Sequence, residues 1–158
     1  MEILPKHPAT SKSIHSIIEV LQERLEALAF DVTDNFCYGC YRVVKADHCP
    51  GCCSDDFMRH LDGVGVEYGT DWVIESLIRE HCDPVDGEEE YEELLSETCE
   101  RVTIGSLEYD PGYVLRNLDP VAFGCGVSDM LADDEQFIEV DGDYYRIFDV
   151  ENMIEELS

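Results

Sequence analysis

Two pairs of cysteines constrain this chain more than any other feature. Cys37-Tyr38-Gly39-Cys40 is followed eight residues later by Cys49-Pro50-Gly51-Cys52, and Cys53 comes directly after. A Cys-x-x-Cys turn brings two thiolates to one metal ion while its backbone N–H groups point back at the sulfurs. Two such turns supply the four tetrahedral ligands of a structural zinc site. The glycine before each second cysteine, Gly39 and Gly51, relieves its turn of a side chain, and Tyr41 to Val44 reads as a strand leading from one turn toward the other. Cys53 and His48 adjoin the second pair and stand as alternative ligands, and iron is an alternative occupant of four thiolates. A catalytic zinc is not expected, because four thiolates leave no open position for water.

Residues 36–54 resemble the zinc-ribbon or rubredoxin-like four-cysteine knuckle. The resemblance implies a structural metal and no particular activity. The other three cysteines, Cys82, Cys99 and Cys125, have no partner spacing and read as small buried apolar residues. Five clustered cysteines and three single ones fit a reducing cytosol better than a secreted disulfide scaffold. No signal peptide and no membrane-spanning run is read in the sequence.

Charge is the second constraint. Ten basic residues face 37 acidic ones, a net charge of −27. Residues 1–60 hold nine acidic and six basic residues, whereas residues 61–158 hold 28 and four, with no lysine. Nucleic acid and anionic membrane are therefore poor partners for the whole protein. Near the knuckles only Arg42, Lys45 and Arg59 are basic, beside two aromatic rings, Tyr38 and Tyr41.

Periodicity gives the remaining elements. Ile14, Ile17, Ile18, Leu21, Leu25 and Leu28 mark one face of a helix over 13–29, used either within the domain or in a homodimer through residues 14–28. Residues 1–10 read as a tail. Ser54 caps a short helix over 55–61, which Asp62-Gly63-Val64-Gly65 breaks. Thr70 opens a helix over 71–81 with Trp72, Val73, Leu77 and Ile78 as its core face. Residues 88–100 form an exposed, glutamate-rich helix, and 101–109 a strand interrupted by Gly105. Asp110-Pro111 and Asp119-Pro120 each place a capping carboxylate before a proline at the first helical position, starting helices over 111–118 and 120–132. Phe137 to Phe148 is a hairpin turning at Asp141-Gly142, and Asp149 caps a last helix. The fold class is α+β: an N-terminal segment (1–33), a small zinc-ribbon module (34–61), and a mainly helical acidic domain (62–158) containing a C-terminal β-hairpin.

Catalytic motifs are lacking. For the three isolated cysteines, His81 beside Cys82 is the one local thiol–imidazole pair, and adjacent helical residues point apart. Asp133-Asp134-Glu135 and Asp141-Gly142-Asp143 lack the register of a calcium loop. The chain reads as a non-enzymatic, cytoplasmic acidic binding protein. Spaced carboxylates can imitate DNA phosphates and occupy the basic surface of a nucleic-acid-processing protein or effector complex. Small phage and mobile-element proteins that block restriction or CRISPR defence are similar: short, acidic, and poor in lysine. The expected contacts are Glu88, Glu89, Glu92, Glu93, Asp133, Asp134, Glu135, Asp141 and Asp143. The alternative is a zinc-ribbon accessory factor that contacts nucleic acid or RNA polymerase through Arg42, Lys45 and Arg59.

Overall fold

The computed structural model describes residues 8–133 and 135–158, with side chains described from Ile18 onward. Residues 1–7 of the expected tail lie outside the described residues. The protein is α+β, and its contacts divide it into two compact units. Unit 1 is the chain up to Cys82 together with Phe148–Ser158, and unit 2 is Asp83–Ile147.

Unit 1 contains α1 (Pro8–Val32), a four-stranded antiparallel sheet, α2 (Asp71–His81) and α6 (Ile147–Leu157). The sheet order is β2 (Arg42–Val44), β1 (Asp34–Cys37), β3 (Met58–Leu61), β4 (Gly65–Glu67). The expected stripe on α1 is buried at Leu21, Leu25 and Leu28, joined by Ala29. The helix is longer than the 13–29 reading, running on to Val32. On α2, Val73, Leu77 and Ile78 are buried; Trp72 is half-buried, and its indole N–H donates to Gly69 O at 2.9 Å. Thr70 makes no side-chain cap.

Two readings of this unit are corrected. Residues 58–61 are a strand, not part of a helix capped by Ser54. Ser54 Oγ does accept a hydrogen bond, from Asp56 N at 3.2 Å, but it closes a local turn. The strand wins because β1 offers a ladder on one side and β4 on the other: Asn35 pairs with Arg59, and Arg59 with Glu67. Tertiary pairing overrides the local helix signal. Asp149 likewise sits inside the first turn of α6 rather than before it.

Unit 2 contains α3 (Gly87–Thr98), the hairpin β5 (Val102–Ile104) and β6 (Leu107–Tyr109), α4 (Pro111–Leu118), α5 (Pro120–Leu131), and the hairpin β7 (Phe137–Val140) and β8 (Asp143–Arg146). Both Asp-Pro starts cap as expected. Asp110 accepts from Gly112 N and Tyr113 N, and Asp119 from Ala122 N. Asp86 caps α3 in the same way. The single strand expected over 101–109 is instead two strands, because Gly105, at φ +63, turns the chain back. The β7–β8 turn is as expected, with Asp141 and Gly142 both at positive φ (50 and 85).

The core of unit 2 is thin. Phe123, Phe137, Val140, Tyr145 and Ile147 are buried, whereas α3 buries nothing. Tyr91 of α3 meets Phe123 of α5 edge to face at 5.2 Å. On the other side α4 crosses α3 so closely that a Cβ on Gly112 would lie 2.9 Å from the Glu92 Cα.

Candidate functional site

The candidate metal site forms where two turns face each other. Cys37 ends β1, and the turn through Cys40 returns the chain into β2, with Cys37 opposite Arg42. The second turn is closed by Cys53 N donating to Cys49 O at 2.7 Å and Cys49 N donating to Ser54 O at 2.8 Å. Sγ atoms of Cys37, Cys40, Cys49 and Cys52 then lie within 4.8 Å of one another. Cys37 and Cys52 are 3.6 Å apart, close to the edge of about 3.8 Å that a tetrahedron with ~2.3 Å metal–sulfur bonds requires. Cys37 and Cys49 are 2% and 1% exposed and pack with Val44, Cys40 and Phe57, so the cluster has a dry side. His48 and Cys53 are exposed and do not belong to it.

The electrostatics fit a cation. Hydrogen bonds from the backbone N–H of Cys52, opposed by burial and then aided by Gly51 N–H and Arg42, bring the Cys49 thiol down to about 6. Hydrogen bonding to Cys49 and then Cys52, with burial, pushes Cys40 up to about 12. At Cys37 the backbone N–H of Cys40 lowers the thiol, but burial and the thiols of Cys52 and Cys49 outweigh it and the net shift is upward. One thiolate forms readily and then opposes the next. A dication inside the cluster would remove that opposition.

Backbone details mark the same place. Gly51 makes room for both: a Cβ there would lie 3.0 Å from Cys40 Sγ and displace the Arg42 guanidinium. Gly39 has nothing within 4 Å, so the expected role of glycine applies to the second turn alone. Each turn also places the residue after its second cysteine in the left-handed region, Tyr41 at φ 52 and Cys53 at φ 61. Such residues cost about 1–2 kcal/mol and persist where the surroundings over-determine them. The matched pair makes the two turns copies of one device. Tyr41 uses its turn to lay its ring edge-on to Phe36 at 5.3 Å, and His60 stacks on Phe36 at 6.1 Å.

Two of the three cations near the knuckles are committed inside the fold. Arg42 Nη2 donates to Cys49 Sγ at 3.8 Å. Arg59 donates to Thr33 Oγ1 at 2.9 Å, Thr33 O at 2.8 Å, Phe30 O at 3.1 Å and Asn35 Oδ1, and lies over the Phe30 ring. It ties the end of α1 to the sheet, a role sequence reasoning missed. Lys45 is largely exposed and 3.9 Å from Asp34.

The acidic residues sort into three groups. Glu88 and Glu92 hold Arg116 at 2.5 and 2.8 Å, and Glu90 pairs with Arg146. Glu89, Glu93 and Glu97, four apart, form a row along α3. Two grooves flank that row. Glu89, Glu92, Glu93, Ser96, Glu97, Asp110 and Tyr113 line one, and Glu90, Glu93, Glu97, Asp129, Asp133 and Phe137 are among those lining the other. Glu97, Asp110 and Asp129 were not among the expected contacts; the four-residue spacing from Glu89 was the available signal for Glu97. Asp133 accepts from Glu135 N at 3.1 Å and Gln136 Nε2 at 3.2 Å, closing the loop before β7. Asp141 and Asp143 sit at the β7–β8 turn and line neither groove. Asp134 lies outside the described residues.

Cys82 is buried, as expected, and its N–H closes α2 onto Ile78 O at 2.8 Å. Cys99 and Cys125 are exposed, contrary to expectation: α3 buries nothing near its end, and α5 buries Phe123 alone. Among the described residues no helix is long and apolar enough to cross a membrane. Comparison with family models, curated proteins and solved structures gives no match.

Proposed function

We propose that the protein is a non-enzymatic acidic binding protein, stapled by a structural zinc, that occupies the basic surface of a nucleic-acid-processing protein. The supporting observation is the row Glu89, Glu93, Glu97 standing between two grooves lined by further carboxylates. Four residues of helix rise about 6 Å, so the row presents charges at intervals comparable to successive phosphates. Unit 2 carries 19 acidic residues against three basic ones, and all three arginines are paired internally. The surplus is left to attract an external cationic surface and to compete with DNA for it. A restriction or CRISPR effector is the proposed class of partner. Zinc is the proposed metal because four thiolates in a closed tetrahedral arrangement, without an open position, suit it.

The test uses an oligolysine peptide as a minimal basic surface. Calorimetric titration at about 50 and 200 mM salt is expected to show binding that weakens steeply with salt. Replacing Glu89, Glu93 and Glu97 by Gln abolishes it, while Asp141→Asn with Asp143→Asn leaves it intact. Salt-independent binding, or full binding by the triple variant, refutes the reading.

A second reading is an accessory factor whose knuckle contacts nucleic acid or polymerase. Its support is the pair of exposed rings, Tyr38 at 66% and Tyr41 at 77%. It requires that Tyr38→Ala and Lys45→Ala remove function while the glutamate substitutions do not.

A further inference from the structure

We propose that the β5–β6 hairpin is an apolar docking face for a basic amphipathic segment of the partner, whose cations lie in the adjoining groove between α3 and α4. The inference rests on the acidic-groove reading above and adds a second requirement to the partner.

The pairing register sets the hairpin's chemistry. Val102 lies opposite Tyr109, Thr103 opposite Glu108, and Ile104 opposite Leu107. Opposed residues share a face, and faces alternate along a strand. One face is therefore Val102, Ile104, Leu107 and Tyr109, and the other is Thr103 and Glu108. On the apolar face Val102 and Tyr109 are half-buried, but Ile104 and Leu107 are 65% and 57% exposed. Two strands alone form a marginal sheet in water. A cross-strand apolar pair left bare at the tip of such a sheet gains from being covered.

The hairpin is joined to the groove at its base. Asp110 directly follows β6, lines the groove with Tyr113 and Glu93, and accepts from Ser96 Oγ of α3 at 2.5 Å. Strand rise of about 3.4 Å per residue puts Leu107 roughly 10 Å along the chain from Asp110. On the hairpin itself Arg101 faces Glu108 at 3.7 Å, so the tip is apolar and locally neutral. A lane of carboxylates thus ends at an uncharged apolar pair.

Charge decides what fits. Unit 2 has an excess of 16 acidic residues, which opposes a second copy, a nucleic acid or an acidic peptide. A segment with lysines or arginines along one side and leucine-like side chains at one end satisfies both surfaces. An apolar anchor beside a charged rim is the usual anatomy of a specific protein interface.

The experiment titrates the full chain with two synthetic peptides of equal length and charge. One is built of Lys and Ser, the other of Lys and Leu with leucines at i, i+3, i+4 spacing. Wild type is expected to bind the Lys/Leu peptide about tenfold tighter, since two partly exposed aliphatic side chains are covered. Ile104→Ser with Leu107→Ser removes that difference and leaves the Lys/Ser affinity unchanged. Circular dichroism checks the fold of the double variant, and Ile104→Thr, which retains β-branching, carries the test if it does not fold. Equal binding of both peptides by wild type overturns the docking face and leaves the groove reading standing. Binding of neither peptide overturns both. A dimer seen by sedimentation of the protein alone, dissolved by the double variant, makes a second copy the occupant and overturns the proposal.

Discussion

The two units are held by different forces. In unit 1, Leu28, Ile78, Val73 and Val150 are all under 2% exposed, and the sheet is pinned by four cysteines at one end and by Arg59 beside α1. In unit 2, α3 buries no residue and is fastened by Arg116 and Arg146 to its neighbours. Apolar burial and metal ligation are largely indifferent to ionic strength. Exposed ion pairs contribute about 0.2–1 kcal/mol each and are screened by salt. The unit that would meet a partner is thus the one whose stability depends on charge.

The largest expected effect comes from the metal. A chelator, or Cys49→Ser, is expected to melt the unit 1 sheet with a loss of several kcal/mol, because the ligation energy of a structural metal is folding energy. Trp72 is the chain's single tryptophan and lies in unit 1, so its fluorescence follows that unit, while far-ultraviolet dichroism, which reads the helices of both units, should keep the share contributed by α3, α4 and α5. Simultaneous loss of both signals would break the comparison. Next, Arg59→Ala lowers the unit 1 unfolding free energy by about 2–3 kcal/mol, since buried carbonyl and hydroxyl partners lose a charged donor; denaturant titration followed through Trp72 measures it.

In unit 2, Arg116→Gln lowers stability modestly at low salt, because Glu88 and Glu92 then face each other uncompensated. The deficit shrinks as salt is added, because salt screens both the lost ion pairs and the repulsion between the two glutamates. A salt-independent deficit points to lost packing on Phe123, over which Arg116 lies at 5.6 Å. The pH test uses Asp110. The Ser96 hydroxyl, aided by Tyr113 N–H, Gly112 N–H and Arg101 and opposed by burial, holds its carboxyl below the usual range. With the folded value below the unfolded one, the contribution is complete above the ordinary carboxylate range and is lost as pH falls through the folded value. Asp110→Asn keeps the cap but is less stable than wild type at neutral pH, and the two thermal midpoints converge in acid. The smallest effect is a gain: Cys53→Gly relieves the left-handed residue by about 1 kcal/mol. Elemental analysis should still find one metal per chain, and a loss of metal would make Cys53 a ligand.

The metal site was legible because its ligands are local: two short turns and a spacer specify it. The Asp-Pro caps and the Asp141-Gly142 turn were legible for the same reason. Residues 58–61 were not, because Ser54-Asp55-Asp56 gives a local helix signal and the ladders that outweigh it come from strands elsewhere in the chain. The β5–β6 turn had a readable sign, Gly105-Ser106 between two apolar residues, which suits a two-residue hairpin. The acidic face was legible as composition but not as geometry. Which glutamates face outward depends on where Arg116 and Arg146 reach α3, and no sequence period announces that.

The pairing of Glu88, Glu90 and Glu92 with arginines leaves Glu89, Glu93 and Glu97 as neighbours of like sign, four residues apart on a helix that buries no residue of its own and meets the core through Tyr91 against Phe123. That row holds electrostatic tension in the free protein. Any cation settling along it relaxes the tension and tightens the helix in the same event. Occupancy of the row is therefore expected to register as a higher melting temperature of unit 2, so that the acidic surface doubles as a gauge of its own load.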